Sequence, residues 1–196
     1  MVRCHLRKLS KVQLKRLRRR VHAYLQFRAD VADFQNQYFS EVCTEKCFTS
    51  QTSACCGREG IATFFADVLI NVLLSAGHEV DALLQTLSED RGGSKCVYLS
   101  ENGCLWRVKP IVCEMFLCEQ AKEMVLGKDQ ALRTRWDKLR QREKRYTWPS
   151  RPVLFDELEE TFIGAGYDSP LMYFHKSPGL LRIKAQSVKQ PHKIHP

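Results

Sequence analysis

Eight of the nine cysteines of this 196-residue chain lie between Cys43 and Cys118, and no other feature limits so strongly what it can become. They run Cys43-x3-Cys47-x7-Cys55-Cys56 and then, after a long cysteine-free stretch, Cys96-x7-Cys104-x8-Cys113-x4-Cys118. A free cysteine is usually a small buried hydrophobe, and Cys4, alone near the N-terminus, is expected to be one. Eight of them flanked by turns and polar residues read instead as thiolate ligands. Disulfides explain them less well. A chain with 44% hydrophobic and 27% charged residues can bury a core unaided, whereas covalent staples become necessary only below ~70–80 residues. The odd count closes no framework, and no apolar stretch follows the basic start (Arg3, Arg7, Lys8, Lys11, Lys15, Arg16) as a secretory signal requires. A reducing, cytoplasmic location is the expectation.

The spacing also suggests how the sulfurs meet. Cys43 and Cys47 are four apart and share a face if helical. Cys96 and Cys104 bracket Glu101-Asn102-Gly103, a hairpin signal between the short apolar runs 96–99 and 105–108. Cys113 and Cys118 sit near an expected helix start, where backbone N–H groups favour a thiolate. Adjacent side chains such as Cys55 and Cys56 diverge, so they suit two sites, or two atoms of a polynuclear centre. Eight thiolates would fill two tetrahedral S4 sites, which zinc and iron–sulfur centres both accept. The vicinal pair tips the preference toward an iron–sulfur cluster over zinc.

The remainder predicts a mainly α fold: a helical domain with a small β-hairpin and a cysteine-ligated metal centre. Ser10 caps a helix running to about Val42, with Leu14, Leu17, Val21, Tyr24, Leu25, Val31, Phe34 and Tyr38 on one face. Lys15, Arg16, Arg18, Arg19, Arg20 and Arg28 fall on the other. Gly57 and Gly60 flank the start of an apolar helix from Ile61, interrupted by Asp67 and Asn71 and placed at the centre of the bundle. Shorter helices follow at about 79–87, from Cys113, at 128–145 beyond Gly127, and at 153–163 before Gly164 and Gly166. Leu180–Ile183 reads as a short strand. Residues 1–42 form a basic N-terminal helix packed on the domain, 43–126 the cysteine-cluster domain, and 127–196 a helical extension with a loose tail.

On these residues the chain resembles the YkgJ-type cysteine-cluster proteins, a family described as zinc- or iron-chelating. The likeness is carried by Cys96-Val97-Tyr98-Leu99 through Gly103-Cys104, Lys109-Pro110, Cys113 and Cys118, with Cys43, Cys47, Cys55 and Cys56 as the leading half. It covers about 43–118. Seven residues separate Cys47 from Cys55 where the family has two, Lys109 stands where arginine is usual, and Glu114 where arginine is common. The resemblance implies a metal cage built from the eight cysteines. Similar patterns in flagellin lysine-N-methylases imply an alternative, an iron–sulfur-dependent enzyme related to protein lysine methylases.

A net charge of +9 favours anionic partners in general. Basic runs at Lys8–Arg20 and Arg133–Arg145, with Trp136, Tyr146 and Trp148 interleaved, raise a third reading: a zinc-stabilised nucleic-acid-binding module making weak contacts through its basic helices. Solvated helix faces are the commoner outcome of such runs. His5, His22, His78, His175, His192 and His195 show no spacing tied to the cysteines, and are expected at the surface or as satisfied core residues. No phosphate-binding loop, dinucleotide fingerprint or hydrolytic triad is present. The longest apolar stretch, 61–76, falls short of the ~20 residues needed to cross a bilayer.

Overall fold

The computed structural model of the chain describes residues 1–57, 62–89, 93–147, 151–172 and 178–189, without side chains for 180 and 187–189. It is mainly helical with one small antiparallel hairpin. Helix α1 (Val2–Lys8) precedes the long α2 (Lys11–Phe39). Ser10 starts α2 as expected: its Oγ accepts from Gln13 N at 3.2 Å, and Gln13 Oε1 accepts from Ser10 N at 2.8 Å. Then come α3 (Phe65–Leu74), α4 (Gly77–Ser88), β1 (Leu99–Ser100), β2 (Gly103–Cys104), α5 (Ile111–Glu114), α6 (Glu119–Ala121), α7 (Gln130–Thr147), α8 (Leu154–Gly164) and α9 (Pro178–Lys189). Residues 180–183 therefore belong to a helix, not a strand. Buried Lys184 fixes α9 by its ion pair with Asp156. A four-residue apolar run cannot by itself distinguish the two states.

One core joins these elements. Leu17, Val21, Tyr24, Phe27, Val31, Phe34 and Phe39 of α2 are buried, α7 packs on α2 and α8, and α3 packs on α1 and α8. Aromatic pairs link the layers: Phe34 stacks on Trp136 at 5.8 Å, Tyr146 lies 5.4 Å from Phe27, and Phe65 meets Phe162 edge-on at 5.1 Å. Arg28 departs from expectation. It is buried beside Tyr24 rather than on the charged face. A guanidinium at that position survives only because Tyr24, Lys109 and Glu114 receive it.

Between α6 and α7 the helix widens into a π turn, Lys122–Leu126, ending at Gly127. A Cβ at Gly127 would stand 2.5 Å from the Glu123 carbonyl oxygen, so only glycine permits this approach. The break expected there is real.

The polar residues interrupting α3 are fasteners. Asp67 and Asn71, one turn apart and both buried, accept from the backbone of the segment leading to Cys113: Ile111 N at 3.1 Å and Val108 N at 3.0 Å. Asp67 also accepts from Phe64 N at 3.0 Å. Burial pushes its pKa up to about 6, against those two N–H bonds and Arg28. A carboxyl that holds its proton more tightly when folded stabilises the protein below its unfolded pKa, and that contribution disappears as pH rises through the folded value. Wild type should thus lose up to about 3 kcal/mol between pH ~4 and ~6.5, read as a falling urea midpoint. Asp67→Asn should lack this slope; an unchanged slope would place the titration elsewhere.

Candidate metal centre

The helix expected to end at Val42 instead continues as a π-helix, Ser40–Phe48, carrying both Cys43 and Cys47 roughly one turn apart. Beyond it the chain curls back onto Cys47. Ser53 N donates to the Cys47 carbonyl at 3.0 Å and Ala54 N to Cys47 Sγ at 3.4 Å. The curl places two non-glycine residues at positive φ, Gln51 at 60° and Ser53 at 37°. L-residues adopt such angles only when their surroundings hold them there. Here Lys95 does so, its ammonium reaching the Thr52 carbonyl and, at 3.5 Å, that of Ser53. The seven-residue spacer is thus a structured loop around one sulfur, delivering Cys55 and Cys56 beside the second cysteine segment.

That second segment is tied on by backbone. Cys96 N donates to the Cys56 carbonyl at 2.8 Å, and Gly57 pairs antiparallel with Lys95. The hairpin is shorter than the two apolar runs suggested, with Leu99 opposite Cys104 and Ser100 opposite Gly103. Gly103, at φ +105°, belongs to β2 and supplies a conformation that a side chain resists. Cys104 lies on β2, and Cys96 just ahead of β1. The helix expected to span 113–118 is two short pieces: Cys113 sits in α5, and Cys118 caps α6, its Sγ accepting from Ala121 N at 3.5 Å.

All nine cysteines are free; Cys4, Cys55 and Cys113 are exposed and the other six are partly buried. Cys4 is exposed on α1, contrary to the core role expected of it; Val2, His5 and Leu6 are the residues α1 turns inward. Several of the other eight perturb one another's thiols. Burial pushes the Cys43 thiol up to about 11, reinforced by the nearby thiols of Cys55, Cys118 and Cys47. The Cys56 thiol, raised by its hydrogen bond to Cys55 and then by burial, also faces Cys96 and Cys104. Cys113 is raised by burial and by Cys104 and Cys96, and the Ala62 backbone opposes that rise. Cys104 is raised by burial while the Trp106 backbone and Lys109 pull it down. Cys55 moves the other way, to about 6, because Cys56 donates to it; Lys109 and Lys95 also favour its thiolate. The eight side chains are neighbours without forming a closed cage. Among the described residues no three or more Cys, His, Asp or Glu groups converge on a point that could hold an ion.

Two further residues hold this region in place. Arg28 donates to the Lys109 carbonyl at 2.7 Å and to Glu114 at 3.4 Å, both partners of that ion pair being only 7% exposed. Gln35 Nε2 donates to the Glu114 carbonyl at 2.5 Å. With Asp67 and Asn71 on the opposite side, the segment 108–114 is gripped by α2 and α3 together. Arginine 28 and Gln35 lie well outside the cysteine pattern. A charged residue in phase with an apolar helix face was the one available clue.

The donor set fits a thiophilic metal. Sulfur is nearly its only ligand type, and backbone N–H groups address several of the sulfurs, as metal thiolates require. Histidines contribute little. His22 and His78 are exposed, His5 is wedged 4.5 Å from Phe162 and 4.9 Å from Tyr167, and His175, His192 and His195 lie outside the described residues. The aromatics of the basic run are not free for base stacking, since Trp136 is buried against Phe34 and Tyr146 is packed between Phe27 and Tyr24; Trp148 is outside the described residues. Two surface depressions lie on α7 and between α2 and α7, and neither has a cysteine in its walls. No described helix is long and apolar enough to cross a membrane. No protein-family model matches the chain, and no curated protein or solved structure does so either.

Proposed function

We propose that this chain is a metal-binding cysteine-cluster protein that holds zinc or an iron–sulfur centre through Cys43, Cys47, Cys55, Cys56, Cys96, Cys104, Cys113 and Cys118. The observation that carries this reading is a set of free thiols, half-buried or exposed rather than lost in the core, drawn from two distant segments and addressed by backbone N–H groups. Free cysteines without such a task are ordinarily buried. The spacing that resembles the YkgJ-type proteins points the same way. Zinc in four-thiolate sites would act as a structural lock; an iron–sulfur centre would add electron transfer or redox sensing.

Anaerobic purification with elemental and sulfide analysis tests the reading. Iron and sulfide with broad absorbance near ~400 nm would identify a cluster. A colourless protein with about two zinc ions per chain would identify a cage. Freshly prepared, reduced protein that carries neither and takes up neither would overturn it. Lys109 lies within reach of Cys43, Cys55 and Cys104 and offsets the negative charge of bound thiolates. Lys109→Gln is therefore expected to weaken metal retention about tenfold to a hundredfold, the range for groups just behind the ligands, as measured by competition with a chelator.

A further inference from the structure

Away from the cysteines, cations of α2 and α7 come together on one surface. The two helices run antiparallel. Arg135 donates to Tyr38 Oη at 2.5 Å, Trp136 stacks on Phe34, Arg142 pairs with Asp30 at 2.7 Å, and Tyr146 Oη donates to the Ala23 carbonyl at 3.1 Å. Helix α7 therefore ends beside Ala23, and the first turns of α2 run on beyond it. Helical spacing puts Lys15, Arg19, Gln26, Asp30, Asp33 and Gln37 on one stripe of α2. Asp30, Asp33 and Gln37 line a shallow groove with Arg135, Lys138 and Arg142, so Lys15 and Arg19 open on the same side as that groove. Arg16 continues the stripe of Phe27 and Phe34, which face Tyr146 and Trp136, and is exposed where α7 no longer covers it. Lys138 and Arg145, two turns apart, border one depression on α7.

Other cations nearby are already engaged. Arg20 and Arg142 pair with Glu157 and Asp30, and Arg135 lies over the rings of Phe34 and Tyr38. Lys15, Arg16, Arg19, Lys138 and Arg145 are exposed and meet no carboxylate among the described residues. Asp33 and Asp137 border this track and lower its charge without neutralising it. Lys138 shares the groove with Asp33, which stands about 27 Å along α2 from Lys15 at 1.5 Å per residue. A duplex advances ~3.4 Å per base pair, so the track spans the phosphates of about eight pairs.

The same surface discriminates among anionic partners. Unpaired strands are held by stacking their bases on aromatic rings. Trp136 and Tyr146 are packed inward and offer no such platform. Membrane-surface helices couple their charges to inserted apolar side chains. Val12 is the one large apolar side chain exposed on α2 or α7 among the described residues. A row of cations on two rigid helices suits regularly spaced phosphates instead. We propose that this track of α2 and α7 binds the phosphate backbone of a nucleic-acid duplex, through charge rather than base sequence and independently of the metal centre.

Fluorescence anisotropy of the full chain with a labelled DNA duplex of about 20 base pairs, titrated at several salt concentrations, tests this. The logarithm of the binding constant should fall against the logarithm of salt with a slope of about −4 to −5, five contacts at ~0.9 each. Arg16→Gln/Arg19→Gln and Lys138→Gln/Arg145→Gln should each weaken binding about tenfold and reduce that slope by about 2. Arg133→Gln/Arg140→Gln removes the same charge from the far flank of α7 and should leave the slope unchanged. A single strand of equal length should bind more weakly. Equal losses in the flank variant would show that net charge acts without a track, and tighter binding of the single strand would remove the duplex; either result overturns the proposal. So does binding to phosphatidylserine vesicles with no binding to the duplex at low salt, which would assign these cations to a membrane surface.

Discussion

Arg28→Met is expected to lower the free energy of unfolding by about 3–5 kcal/mol, the usual cost of removing one partner from a buried ion pair. The substitution keeps much of the side-chain volume but leaves Glu114 buried without its guanidinium and removes a donor from the Lys109 carbonyl and from Tyr24 Oη. The Lys109 ammonium, 3.7 Å from Glu114 and half exposed, offsets only part of that loss. Urea denaturation provides the measurement. The double variant Arg28→Met/Glu114→Leu should recover most of the stability, because no charge is then left stranded. A single-variant loss below about 1 kcal/mol would mean that Glu114 is solvated and the clamp on 108–114 comes from α3 and Gln35.

The second large effect concerns the cysteines. Cys113→Ser is expected to release bound metal and to abolish hydrogen-exchange protection across 53–57 and 94–107, while Cys4→Ser changes stability by less than about 0.5 kcal/mol. Small metal domains commonly unfold entirely without their ion, whose apparent binding energy reaches about 10–16 kcal/mol. A different outcome is expected here. The core of α1, α2, α3, α7 and α8 buries Phe, Leu, Val, Ile, Tyr and Trp but no cysteine side chain, so its helices have an independent source of stability. Far-UV circular dichroism of the Cys113→Ser protein should stay helical while exchange reports melting confined to the cysteine segments. Global unfolding would show instead that the helical core depends on the metal.

Much of this fold can be read in the chain because helical periodicity is strong where one face is apolar. Ser10 as the cap, the α2 face from Leu17 to Phe34, and the break at Gly127 all announce themselves through local chemistry. What stayed hidden depends on distant partners. Arg28 falls in phase with the apolar face of α2, but the partners that let it be buried there, Glu114 and the Lys109 carbonyl, stand far along the chain. Asp67 and Asn71 look like interruptions of an apolar helix until Ile111 N and Val108 N arrive. The π-helix under Cys43 and Cys47 has no local signature, and α9 was obscured because four apolar residues fit either period. For the centre itself, spacing nominates the eight cysteines but not their neighbours. The Cys56–Cys96 backbone bond and the loop around Cys47, which bring the two cysteine segments together, cannot be read from spacing.

X-ray absorption at the edge of whichever metal accompanies the purified chain reads its ligands outright. A first shell made only of sulfur is expected, four per metal, at about 2.3 Å for zinc. A first shell containing nitrogen or oxygen ligands, or one that is unchanged in a variant with all eight serines in place of Cys43 to Cys118, would contradict it.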